Sequence, residues 1–255
     1  MLPAKWKTIW ITGTTSGIGI ELVEQLAQGS ANIAISARST EKLDALANKY
    51  SNVFAFPLDV RHADAVAKCV ADIEAAHGPI DLAILNAGVS ATSSTANPEA
   101  SVFKTIIETN FLGVTNGLSA LVPKMSQRGS GHIAWVASLA GYNGLPGSGA
   151  YNASKAALIA LAEAARPELN DKGIELSVIN PGFVRTPMTD KNNFPMPFMI
   201  SPKKAAANII HGLSKQKYEI AFPWQLALSV KFMRLLPYPL FFLAVRKVLM
   251  PKVGK

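Results

Sequence analysis

The chain has 255 residues, 49% of them apolar and 16% charged, with 25 Lys+Arg against 17 Asp+Glu and a formal net charge of +8. That apolar content excludes intrinsic disorder, and a single cysteine, Cys69, excludes a disulfide scaffold or a cysteine-rich zinc module and fits a reducing compartment. The charge is uneven, since residues 191–255 hold 11 Lys+Arg and one acid, Glu219, so the last quarter is the part suited to an anionic surface, either nucleic acid or membrane.

From the start, the sequence runs straight into a strand pattern, so no signal peptide is expected. Near-continuous apolar runs at residues 8–12, 32–36, 53–57, 82–86, 132–137 and 175–180 read as strands covered on both faces. Helical patterns fill the gaps at 18–28, 41–50, 63–76, 101–127 and 151–170. Pro167 lies inside the last of these and predicts a kink beyond its first turns. Strands alternating with helices in this way define an α/β, doubly wound parallel sheet with right-handed crossovers. A final helix at 202–214 and strand at 219–222 complete the sheet edge. One catalytic domain is expected over residues 1–223, with a basic, apolar appendage of the same domain at 224–255.

Between the first strand and the first helix stands Thr12-Gly13-Thr14-Thr15-Ser16-Gly17-Ile18-Gly19. Glycines are needed where backbone turns sharply and approaches a pyrophosphate, and a helix N-terminus favours anionic charge. The spacing Gly-x-x-x-Gly-x-Gly resembles that of the short-chain dehydrogenase/reductase family, and the resemblance extends over residues 6–215. It implies a Rossmann-type sheet of about seven strands with helices on both faces. It also implies a nicotinamide dinucleotide held by Gly13, Thr15, Ser16, Gly17, Ile18 and Gly19.

The second strand ends Ile35-Ser36-Ala37-Arg38-Ser39. An NAD-binding chain usually carries a carboxylate here for the ribose hydroxyls; this one has Ala37 and then Arg38. An acid would repel a 2′-phosphate, whereas a guanidinium pairs with it bidentately. NADP(H) is therefore expected, with Ser36 and Ser39 as helpers. Ser16 is not basic, unlike its counterpart in some NADP-preferring relatives, so the preference rests on Arg38. The resemblance puts the adenine beside Asp59 and Val60, and a close backbone passage at Asn86, Ala87 and Gly88.

Tyr151 and Lys155, spaced i, i+4, share one helix face. A free tyrosine, with pKa near 10, is a poor acid–base group at neutral pH, and a neighbouring ammonium lowers that value. Lys155 is thus placed to tune Tyr151. Ser138 ends the fifth strand, at the edge where such sheets bind ligands. In the resembling family this serine, tyrosine and lysine are the catalytic trio. Asn110 falls on an otherwise apolar helix stripe through Phe103, Ile106, Ile107, Phe111, Val114, Leu118 and Leu121, where a buried amide needs partners. The resemblance gives it a water that passes protons to Lys155; a structural bond to backbone is the plainer alternative. Pro181, Gly182, Val184 and Thr186 match the family's Pro-Gly-x-x-x-Thr segment, whose Val184 backbone and Thr186 are expected to fix the carboxamide. No metal ligand set is expected.

Between Thr186 and Ser201, three methionines and two phenylalanines occupy the family's substrate lid, so a small hydrophobic, chain-like carbonyl or alcohol is the expected substrate. The tail from Trp224 carries an uncharged run from Leu235 to Val245, too short to span a bilayer and split by Pro237 and Pro239. Lys231, Arg234, Arg246 and Lys247 flank it, which suits an interfacial helix pair and peripheral membrane contact. An oligomer interface or a flap over the site are the rivals, and no nucleic-acid partner is expected, because no base-reading module is visible. With Tyr218–Pro223 before it, this tail is also similar to reductases acting on lipids such as 3-ketosphinganine. The family resemblance further implies a homodimer or homotetramer, and a cytoplasmic location follows from the cysteine usage. A catalytically silent scaffold, and an epimerase or dehydratase with retained cofactor, are the alternatives to an NADP(H)-dependent oxidoreductase.

Overall fold

The computed structural model describes residues 6–190 and 194–248. Seven strands form one parallel sheet: β1 (Thr8–Thr12), β2 (Asn32–Ser36), β3 (Val53–Ala55), β4 (Leu82–Leu85), β5 (Gly131–Val136), β6 (Ile174–Pro181) and β7 (Glu219–Phe222), in the order β3-β2-β1-β4-β5-β6-β7. The chain steps outward from β1 to β3, then returns to the other side of β1 with β4. That reversal opens a crevice at the carboxyl ends of β1 and β4, where ligands bind in such sheets. In register, Ile9 of β1 lies beside Ile33 of β2 and Leu82 of β4.

Alternation along each strand builds two cores. Ile9, Ile11, Ile33, Ile35 and Ile84 face α1 (Gly17–Leu26), α2 (Thr40–Ala47) and α7 (Pro202–Ser214). Trp10, Ala34, Leu85, Ile133 and Trp135 face α3 (Ala63–His77), α5 (Gly113–Arg128) and α6 (Gly149–Asn170). The indoles of the two strand tryptophans are satisfied: Trp10 Nε1 donates to Ser36 Oγ at 3.0 Å, and Trp135 Nε1 donates to the Leu158 carbonyl at 3.0 Å. The second bond ties the sheet to α6. Cys69 of α3 is buried 3.7 Å from Ser36 Oγ, and burial pushes its thiol up to about 11.

One expectation changes. The single helix over 101–127 is divided into α4 (Ala100–Ile107), a π turn (Glu108–Leu112) and α5. Helix α6 continues through Pro167 and ends at Asn170, so the proline sits in the last turn, where one lost N–H bond interrupts little. The tail folds as α8 (Trp224–Arg234) and α9 (Tyr238–Val248), separated near Pro237.

At the start of α1, a Cβ added to Gly19 would lie 2.1 Å from the Gly13 carbonyl oxygen and 2.9 Å from Thr14 Cα, both backbone. Gly19→Ala must push the first turn of the helix away from β1. We expect it to cost about 1–3 kcal/mol of stability, measured by urea unfolding; an unchanged midpoint would contradict this packing.

Candidate active site

A cleft of about 420 Å³ runs along the carboxyl ends of β1, β2, β4, β5 and β6. Its floor begins at the turn after β1. Gly13 (φ 72°) and Gly17 (φ 56°) both lie in the left-handed region that glycine adopts freely. Gly13 N–H donates to the Ser36 carbonyl at 2.7 Å, while Gly17 packs against Thr186 across the cleft. Thr12 Oγ1 accepts from the N–H groups of Asn86 and Ala87, each at 3.0 Å. Asn86 Nδ2 returns bonds to the carbonyls of Thr12 and Gly13, each at 3.0 Å. The Asn86 amide thus clasps the turn at the edge of the cleft.

The N-terminus of α1 points at this cleft without a side-chain cap from Ser16 and with no acid in its first turn. Uncapped N–H groups and the positive helix end make an anion site that fits a pyrophosphate. By contrast, α2 is capped by its own Ser39, whose hydroxyl accepts from Lys42 N–H at 3.4 Å. Ser39 therefore serves the helix, and Ser36 Oγ faces Trp10 and Cys69. What remains at the end of β2 is cationic: Arg38 and Lys42 line the cleft together. Lys42 escapes a motif search, although it stands i+4 from Arg38.

Asp59 lines the same end, but its carboxylate is gripped by the Arg61 guanidinium at 2.6–3.1 Å, which holds its pKa at about 2 against an ordinary 3.8.

At the other end, Ser138 closes β5 with a hydroxyl that accepts from Ala140 N–H at 3.1 Å and donates to the Pro181 carbonyl at 3.3 Å. Tyr151 and Lys155 rise from the first turns of α6, the Lys155 nitrogen 5.6 Å from the centre of the tyrosine ring. Lys155 is buried, and Nζ donates to the Val136 carbonyl at 2.8 Å. The titration order differs from the sequence expectation. Burial raises the Tyr151 phenol, and the Ser138 hydroxyl only partly offsets this. Burial also brings the Lys155 ammonium down to about 7. Desolvation outweighs the charge effect that i, i+4 spacing implies.

Asn110 is fully buried at the centre of the π turn. Its Oδ1 accepts from Val89 N–H at 2.7 Å, and Nδ2 donates to the Val89 carbonyl at 2.9 Å and to Ser154 Oγ at 3.0 Å. The amide pins the segment after β4 to the catalytic helix; a π turn inside an α-helix often marks such a functional position. Of the sequence-derived site residues, Gly13, Thr15, Ser16, Gly17, Ile18, Arg38, Asp59, Val60, Asn86, Ala87, Gly88, Ser138, Tyr151, Lys155, Pro181, Gly182, Val184 and Thr186 line the cleft. Gly19 and Asn110 lie behind it. Residues that motif reading passes over include Thr109 and Thr189. Thr189 Oγ1 donates to the Val184 carbonyl at 2.8 Å and accepts from Thr186 N–H at 3.0 Å, so it organises the Pro-Gly segment. Met188 lines the cleft, and Phe194 packs edge-on to Phe183 with centroids 6.0 Å apart; residues 191–193 of the lid lie outside the described residues.

The sequence matches the short chain dehydrogenase family over residues 7–196, and the chain belongs to that family. It is 36% identical over 252 residues to an uncharacterized oxidoreductase of Myxococcus xanthus, covering 97% of this chain and 100% of that one. It is 34% identical over 218 residues to the ketoacyl reductase HetN of a Nostoc species, covering 83% of this chain and 76% of that one. Among solved structures, a short-chain dehydrogenase/reductase from Burkholderia phymatum in complex with NAD superposes with a TM-score of 0.82 at 22% identity, covering 91% and 94% of the two chains. A short chain dehydrogenase from Burkholderia cenocepacia in complex with NADP gives 0.79 at 24%, covering 89% and 92%. The last two share the fold.

The Asp59–Arg61 pair predicts a pH response. Because the folded pKa is depressed, its stabilisation is present above the unfolded value near 4 and is lost as pH falls towards about 2. In Arg61→Ala, the Asp59 carboxyl carbon should titrate by NMR close to 4 instead of 2. Titration near 2 in the variant would show that another group holds it.

Proposed function

We propose that the chain is an NADP(H)-dependent oxidoreductase that moves a hydride between nicotinamide and the carbonyl or secondary alcohol of a hydrophobic substrate. The observation that carries this reading is the convergence of Ser138, Tyr151 and Lys155 on one end of a cleft whose other end is an uncapped helix N-terminus beside two cations. The nucleotide, when bound, supplies or accepts the hydride. Its diphosphate would lie against Gly13–Gly19, its 2′-phosphate beside Arg38 and Lys42, and its carboxamide near Val184 and Thr186.

For reduction, the carbonyl carbon of the substrate gains the hydride with both its electrons. The carbonyl oxygen takes the phenolic proton of Tyr151, leaving the alcohol, while Ser138 Oγ–H steadies the oxygen as charge develops. A phenol kept protonated by burial suits the donor role in this direction. Lys155, with an ammonium near neutral pKa, is placed to hold the ribose and return a proton to the tyrosine. Met188, Val89 and Pro187 give the substrate end an apolar wall, which supports a hydrophobic substrate. The reading includes a cytoplasmic protein.

Tyr151→Phe should lower NADPH oxidation by about 10²–10⁴-fold on a panel of long-chain ketones, steroids, sugars and 3-oxoacyl thioesters, while NADPH binding followed by fluorescence stays near wild type. Wild-type turnover in that variant would remove Tyr151 from the chemistry, and activity on sugars alone would overturn the apolar substrate. Arg38→Asp should invert the kcat/KM preference from NADPH to NADH. An unchanged ratio would assign the preference elsewhere.

A further inference from the structure

Helix α8 has two unlike faces. Leu226 packs beside Gly182, where an added Cβ would lie 2.7 Å from it and 3.3 Å from Leu139. One turn on, the Val230 carbonyl accepts from Asn143 Nδ2 at 2.9 Å. Glu219 of β7 accepts from Tyr142 and Lys231, and from Asn180 Nδ2 at 3.1 Å. This inner face therefore holds the loops that follow β5 and β6, the loops that carry Ser138 and Gly182. The outer face is apolar and uncovered: Trp224, Leu228, Phe232 and Leu235, at helical spacing, are 69, 62, 63 and 80% exposed. Helix α9 also exposes an apolar side, with Tyr238 and Phe242, their rings stacked 5.8 Å apart, and with Leu240 and Leu243, while Phe241 and Val245 pack inward.

We propose that this two-helix face docks on the surface of an anionic lipid bilayer, and that the substrate is a ketone or secondary alcohol of a bilayer-resident, lipid-like molecule. The substrate part rests on the oxidoreductase reading; the docking part does not. Each helix has 11 residues, about 16 Å of rise, against a hydrocarbon core of about 30 Å, so the pair lies on a bilayer and does not cross it. No helix among the described residues is long and apolar enough to cross. Charge selects the partner. Arg246 and Lys247 are exposed at the end of α9, Arg234 lies over the Tyr142 ring at 5.8 Å, and the sole acid of residues 194–248, Glu219, is already occupied by Lys231 and Tyr142. Two copies of this face would set cation against cation, whereas anionic headgroups neutralise them while the aromatic stripe enters the headgroup boundary. Because the inner face of the same helix borders Gly182, docking brings the site beside the lipid that would supply it.

The test is flotation of the full chain with phosphatidylserine-containing vesicles and with pure phosphatidylcholine vesicles, for wild type and a W224S/F232S/L235S variant. In parallel, NADPH oxidation is measured on a short soluble ketone and on a long-chain ketone embedded in the anionic vesicles. Wild type should float with the anionic vesicles and the variant should not. The variant should lose about tenfold or more in kcat/KM on the embedded ketone and none on the soluble one. Failure of wild type to float, or undiminished flotation of the variant, overturns the docking. A wild-type dimer in gel filtration that the variant splits, without flotation, assigns the face to a second copy and overturns it equally. Wild type that floats yet shows equal rates for the variant on both ketones overturns the lipid substrate. Absence of turnover on the soluble ketone counts against the oxidoreductase reading, while flotation still decides the docking.

Discussion

Four hydrogen bonds between Thr12, Gly13, Asn86 and Ala87 hold together the point where the sheet reverses direction. The outward walk from β1 to β3 and the return at β4 leave the ends of β1 and β4 diverging, and diverging backbone would expose unpaired groups to the cleft. The clasp satisfies those groups with side chains of its own strands. The turn is then free to direct its remaining N–H groups, and the first turn of α1, outward. Arg38, Asp59 and the α6 residues take their positions from strands paired in register to this pair, so the site inherits its geometry from one crossing.

Much of this was legible from residue order alone. The parallel sheet follows from apolar runs without polar alternation, and strands β1, β2 and β7 span the residues that the sequence predicts, 8–12, 32–36 and 219–222. Ser138, Tyr151 and Lys155 converge because each sits at a defined place on a strand end or helix face. Less was legible where the deciding quantity is three-dimensional. Lys42 reaches the cleft through a long side chain on a helix turn, and Thr189 acts by folding back three to five residues along an irregular loop. The π turn at Asn110 has no periodic signature, since one surplus residue leaves the apolar stripe on either side intact.

The acid–base balance of the site departs from the spacing argument for a related reason. Spacing reports which groups are neighbours, but not how dry their surroundings are. Lys155 donates to a backbone carbonyl inside the protein, and both it and Tyr151 shift toward their neutral forms. In a desolvated pair, the charge that was expected to activate the tyrosine is itself expensive to keep. A phenol that stays protonated and an amine poised near neutrality make a proton reservoir rather than a standing phenolate.

Cys69, the chain's single thiol, is packed under the end of β2 against Ser36, with a pKa of about 11. At that value almost no thiolate exists at neutral pH, and a sulfur so placed is poorly accessible to oxidants and electrophiles. The protein is therefore deaf to cellular thiol chemistry.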